Sequence, residues 1–247
     1  MLVIANWKAY VEDLGKAKKL AALAKRLSRG TKHALVLAPP VPFLGALSGK
    51  NVSAVRFSAQ DVSATAGGAR TGEATAQAYA AAGASYAIIG HSERRAAGDT
   101  NAVVATKMAH ALAHGLAPIL CVGEPERDSE GRYLAFVREE VAAAVEPLSP
   151  KERGSVIVAY EPLWAIGKTA AAAADAEDLA EMAAYIRKVL AELLPGKRAE
   201  RSVILYGGSV EPANIRALAA GSGIDGFLVG HASVEPATFA ALVAALA

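Results

Sequence analysis

Cysteine is nearly missing from this chain, since Cys121 is the only one in 247 residues. A single thiol forms no internal disulfide framework and no multi-thiolate metal site. Taken alone, it reads as a small buried hydrophobe. A charge of one sign is also missing. The formal net charge is +2, and no long basic run tracks one face, so a nucleic-acid partner is not expected. Long hydrophobic runs are missing too. Met1-Leu2-Val3-Ile4-Ala5 is apolar but gives way to Asn6 and Lys8, too soon for a signal-peptide core or a membrane span. A cytoplasmic protein without a membrane partner is the expectation.

Nucleotide and metal fingerprints fail as well. No Gly-x-Gly-x-x-Gly follows the first apolar run, which leaves a dinucleotide cofactor without a seat. Gly167-Lys168-Thr169 ends like a Walker-type loop, but the position where that loop needs its first glycine holds Pro162. His33, His110, His114 and His231 make no metal-ligand spacing with His91. The expectation is no cofactor and no metal.

What is present points to a packed enzyme-sized domain. Hydrophobic residues make up 53% and charged residues 20%, proportions of a globular core and not of a disordered chain. Much of the apolar share is alanine, which favours helix. The length suits one large α/β domain spanning residues 1–247.

Short β-branched runs alternate with alanine-rich amphipathic stretches to the end of the chain, the pattern of repeated βαβ units. Strands are predicted at Leu2–Ala5, Ala34–Ala38, Ala54–Ala59, Tyr86–Gly90, Pro118–Val122, Val156–Tyr160, Val203–Tyr206 and Gly226–Val229. Helical patterns include Lys16–Leu27, Val103–His114, Leu134–Val145 and Ala176–Leu193, the last opened by Asp175 as N-cap. Near-continuous apolar strands fit either an eight-stranded parallel (β/α)8 barrel or an open doubly wound sheet. The unusual polar residues fall after many different strands, where a barrel assembles its site, and not at one switch point. The barrel is therefore favoured.

Asn6-Trp7-Lys8 directly follows the first strand. Two residues apart on extended chain, Asn6 and Lys8 can point the same way into the barrel mouth, although a lysine on a loop is often only solvated. His91 follows Ile88-Ile89-Gly90 and precedes the polar segment Ser92-Glu93-Arg94-Arg95. Backbone N–H groups starting a short helix there would favour a neutral, hydrogen-bonding imidazole; a purely structural histidine is the competing explanation. Glu161 ends a strand and opens Pro162-Leu163-Trp164-Ala165-Ile166-Gly167. That arrangement suits a carboxylate base beneath an apolar lid, against the plainer alternative of a surface glutamate near a tryptophan. Tyr206-Gly207-Gly208-Ser209 and Val229-Gly230-His231 place glycine turns after the seventh and eighth strands. Barrels commonly cradle phosphate there, because glycine lets backbone N–H groups approach an anion.

Together these segments resemble the triosephosphate isomerase family over nearly the whole chain. The resemblance is carried by Asn6-Trp7-Lys8, Ser58-Ala59-Gln60-Asp61-Val62-Ser63, Thr71-Gly72-Glu73, Gly90-His91-Ser92-Glu93-Arg94-Arg95 and Cys121-Val122-Gly123-Glu124. It continues in Ala159-Tyr160-Glu161-Pro162-Leu163-Trp164-Ala165-Ile166-Gly167, Tyr206-Gly207-Gly208-Ser209-Val210 and Asp225-Gly226-Phe227-Leu228-Val229-Gly230. The resemblance implies a single-domain TIM barrel in which Glu161 is the catalytic base and His91 the electrophile. Asn6 and Lys8 would line the substrate site with Glu93 beside them. Backbone N–H groups of Gly167, Ser209, Gly230 and His231 would hold the phosphate of a triose. Gln60 to Glu73 would form a projecting loop that builds a homodimer, with Thr71 reaching the neighbouring site.

The chain departs from the family pattern at three places. Lys168-Thr169 and an alanine tract follow Gly167, which alters the lid hinge; Ala9-Tyr10 follows Lys8, which alters an expected dimer contact. His231 replaces the second glycine of a Gly-Gly pair, where a positive φ would be strained. No catalytic group is lost. Two alternatives remain: another phosphosugar barrel isomerase or epimerase, which would need a different base and electrophile, and a non-catalytic binding protein descended from the enzyme.

Overall fold

The structure, a computed structural model, describes residues 1–167, 174–194 and 202–246. Eight parallel strands close into a barrel in sequence order. They are β1 (Leu2–Asn6), β2 (Ala34–Ala38), β3 (Arg56–Ala59), β4 (Tyr86–Ile89), β5 (Ala117–Val122), β6 (Ile157–Tyr160), β7 (Ile204–Tyr206) and β8 (Gly226–Val229). Closure is made by β1 against β8, with Leu2 opposite Gly226 and Ala5 opposite Val229. The helices follow as α1 (Leu14–Gly30), α2 (Val41–Ser48), α3 (Ala76–Ala81), α4 (Ser92–Ala96) and α5 (Asn101–Ala113). After them come α6 (Arg132–Val145), α7 (Pro150–Arg153), α8 (Ala176–Leu193), α9 (Ile215–Ala219) and α10 (Pro236–Ala245).

Each strand is apolar on both faces because both faces are covered. Ile4, Val36, Ile88, Ile119, Cys121, Ala159, Leu205 and Leu228 fill the barrel interior. Their neighbours Val3, Ala5, Leu35, Ile89, Leu120 and Val158 join the core between strands and helices. This period of two is the strand geometry expressed in a closed sheet. The barrel interior is thus a packed core and not a pore.

Most element bounds agree with the sequence pattern to within two residues. Asp13 accepts from the Lys16 N–H at 2.8 Å and starts α1 one turn before apolar periodicity begins. Asp175 caps α8 in a reciprocal box with Asp178, as its position predicts. Gly90 stops β4 with φ +72°, a conformation that glycine adopts without steric cost. The expected hinge at Lys168-Thr169 lies outside the described residues. Among the described residues, no helix is long and apolar enough to cross a membrane.

Candidate active site

The polar residues singled out in the sequence meet at the C-terminal ends of the strands. A cavity of about 470 Å³ is lined by Asn6 at the end of β1 and Lys8 beyond it, His91 and Glu93 after β4, and Glu161 after β6. Its other wall holds Ile166, Gly167, Ser209, Gly230 and His231. All the candidate phosphate ligands therefore share one space with the candidate base.

His91 caps α4: its Nδ1 accepts from the Glu93 N–H at 3.2 Å. A nitrogen that accepts carries no proton, so the ring is neutral with its hydrogen on Nε2. That Nε2 lies 3.2 Å from Glu161 Oε1. The other Glu161 oxygen, Oε2, accepts from the Ser92 N–H at 3.1 Å. Glu161 is only 2% exposed and its side chain rests against Gly207, where a Cβ would come 2.7 Å from its Cγ.

Lys8 is not on extended chain, contrary to the pattern expected from Asn6-Trp7-Lys8. Strand β1 ends at Asn6, and Lys8 stands at φ +45°, the only positive value outside glycine among the described residues. Left-handed backbone in a residue with a Cβ costs roughly 1–2 kcal/mol. Two side chains hold it: Asn6 Oδ1 accepts from the Lys8 N–H at 3.1 Å, and the Gln60 amide donates to the Lys8 carbonyl at 2.9 Å. The strained turn delivers the ammonium to Glu93 Oε1 at 2.6 Å. Burial raises the Glu93 carboxyl, but the hydrogen bond and charge of Lys8 outweigh it and hold the group below its ordinary value.

The strain expected at His231 does not arise. His231 opens a short 3₁₀ turn, His231–Ser233, behind Gly230 at φ −90°; its backbone is not left-handed. Its side chain meets Tyr10 edge to face, ring centroids 5.8 Å apart at 83°. Two departures from the family pattern thus pack against each other.

Pro162 leads into a 3₁₀ turn at Leu163–Ala165, and Gly167 follows at φ +70°. This apolar segment is docked on Glu124, a side chain whose role the sequence did not reveal. Glu124 is fully buried and accepts from the Trp164 indole at 2.8 Å and the Tyr160 hydroxyl at 2.7 Å. Arg127 bonds it at 3.3 Å and stands over both the Trp164 and Tyr133 rings. On the cavity side the Ser209 hydroxyl donates to the Ala165 carbonyl at 3.0 Å.

Beneath the site lie Cys121 and Glu140. Burial pushes the Cys121 thiol well up, and the Glu161 charge adds to that. Glu140 accepts from the Gly123 N–H at 2.9 Å and pairs with Arg95 at 3.2 Å, yet burial raises its carboxyl to about 7. Thr71 and Glu73 are not brought to this cluster. Both are exposed on a loop closed by the Ser63 N–H donating to the Ala74 carbonyl, and Glu73 borders a separate groove.

A buried carboxylate beside a neutral imidazole at the mouth of a closed parallel barrel makes this a (β/α)8-barrel protein with a carboxylate–imidazole site. Comparison with known proteins narrows the class. A family model described as triosephosphate isomerase matches residues 1–246. The triosephosphate isomerase of Symbiobacterium thermophilum is 39% identical over 100% of this chain and 96% of its own length. The enzyme of that name from Ralstonia nicotianae is 41% identical over 98% and 96%, and that from Thermus thermophilus 40% over 98% and 97%. The chain belongs to the triosephosphate isomerase family.

Proposed function

We propose that this chain interconverts dihydroxyacetone phosphate and D-glyceraldehyde 3-phosphate through an enediolate, within glycolysis and gluconeogenesis and in the cytoplasm. The observation that carries the reading is Glu161 beside the neutral His91 in the cavity that Lys8 also lines. Glu161 takes a proton from the carbon next to the carbonyl and returns it to the neighbouring carbon. The bond pair of that C–H moves into the new C=C, and the carbonyl oxygen gains negative charge. The His91 Nε2–H donates to that oxygen and shuttles a proton between the two oxygens. Lys8, held by Asn6 and Glu93, offsets the negative charge of the substrate. Backbone N–H groups of Gly167, Ser209, Gly230 and His231 hold the phosphate.

The segment Pro162 to Gly167 acts as a lid that excludes water from the enediolate. No redox cofactor or metal enters this chemistry. The assembly is a homodimer. In support, a hollow of about 230 Å³ opens behind the Lys8–Glu93 pair, lined by Gln60 and Tyr79 with the exposed Val41 at its rim. The exposed loop bearing Thr71 and Glu73 from a second copy would fill it.

Adding D-glyceraldehyde 3-phosphate to the purified chain, with dihydroxyacetone phosphate read by a coupled reductase, tests the activity. Steady turnover is expected, and no turnover in the absence of other additions would overturn the reading. Light scattering tests the assembly, where a mass near the 25.3 kDa of one chain would overturn the dimer.

A further inference from the structure

We propose that the imidazole of His231, propped by Tyr10, is a side-chain ligand for the phosphoryl group of the substrate, additional to the backbone donors of the site. The inference rests on the phosphosugar reading above and deepens it.

Three observations carry it. His231 and Tyr10 both line the same cavity as Lys8 and Gly230. The proposed anion subsite on the His231 N–H and the His231 side chain therefore open on one space. Second, the ring has a partner: its edge-to-face contact with Tyr10, at 5.8 Å and 83°, is the arrangement that aromatic quadrupoles prefer, and it reduces the freedom the ring has left to lose on binding. Third, neither ring nitrogen makes a hydrogen bond or ion pair among the described residues. An imidazole always carries at least one N–H, so a donor is available beside the anion subsite.

Lys8 places a cation at the same end: a Cβ on Gly230 would lie 3.9 Å from its Nζ. Its ammonium is already engaged by Glu93, so His231 supplies a donor that no carboxylate among the described residues occupies.

Inorganic phosphate titrated into the full-length protein by calorimetry tests this without depending on turnover. His231→Ala keeps the backbone N–H and removes only the ring, and phosphate Kd is expected to rise about 10-fold, the size of one hydrogen bond to a charged group. His231→Gln keeps a donor and is expected to recover part of that loss. Tyr10→Ala frees the ring and should weaken phosphate by a smaller factor, with Tyr10→Phe between it and wild type. The KM for D-glyceraldehyde 3-phosphate should rise in the same order.

An unchanged phosphate Kd in both His231 variants overturns the inference. If His231→Ala fails to fold, His231→Phe takes its place, keeping a ring against Tyr10 while removing both nitrogens: a phosphate Kd raised about 10-fold supports the donor role and an unchanged Kd overturns it. Wild-type protein that binds phosphate but does not isomerise the triose sinks the functional reading instead, so the two failures are distinguishable.

Discussion

Gly207 and Glu161 share one volume: the Glu161 side chain lies where a Cβ of residue 207 would project, 2.7 Å from its Cγ. The absence of a side chain on β7's loop is therefore what lets the carboxylate after β6 sit beside His91. Gly207→Ala is expected to displace the carboxylate and lower kcat by about 10-fold to 100-fold while the barrel still folds. Steady-state kinetics with a melting curve check it, and an unaltered kcat would show that the contact yields at no cost.

Glu161→Asp probes the same geometry from the other partner. Withdrawing the carboxylate by one methylene moves the base about 1 Å, enough to cost on the order of 100-fold in turnover, with substrate affinity little changed. An undiminished turnover number would remove Glu161 from its role.

Shortening the segment between Leu163 and Gly167 should leave the barrel intact but expose the enediolate to water, which allows it to expel phosphate. Inorganic phosphate released per isomerisation is expected to increase. If the partition between isomerised product and free phosphate does not move, the lid has no protective role.

Glu140 makes stability depend on pH. Its folded-state value, about 7, lies above the ordinary 4.5. Below pH 4.5 the group is protonated in both states and costs nothing. As pH rises towards 7 the unfolded chain ionises first, so stability falls, by on the order of 3 kcal/mol across the window. Glu140→Gln removes the titrating group and serves as the pH-independent reference at this site, since the attraction of Arg95 acts on the ionised carboxylate and is already part of the value of about 7. The melting temperature of wild type minus that of the variant should therefore decline between pH 4.5 and 7 and then level off. A difference that is flat across that window contradicts the assignment.

The barrel was legible because both faces of each strand are covered, which writes the strands as apolar runs, and because the site residues stand at the strand ends. Glu161, His91 and Lys8 stood out as candidates by that position, and the family resemblance supplied their expected roles. The conformation of Lys8 could not, since its left-handed turn depends on Asn6 and on Gln60, which is 52 residues away. Nor could Glu124, two of whose partners, Tyr160 and Trp164, stand 36 and 40 residues further along the chain. The meeting of Tyr10 with His231 spans almost the entire chain, and only closure of β1 on β8 creates it. Sequence reads local backbone needs well; contacts made by closing the barrel have no local signal.

The two tryptophans of the chain occupy opposite situations. Trp7 is completely buried in the core, whereas Trp164 is bonded to Glu124 and lies beneath the Arg127 guanidinium. If the proposed lid moves, the indole of Trp164 exchanges these neighbours for others, and its emission changes with them. In a Trp7→Phe variant the remaining ultraviolet tryptophan emission would come from that ring alone, and the rise time of its change on adding a ligand would give the speed of the movement.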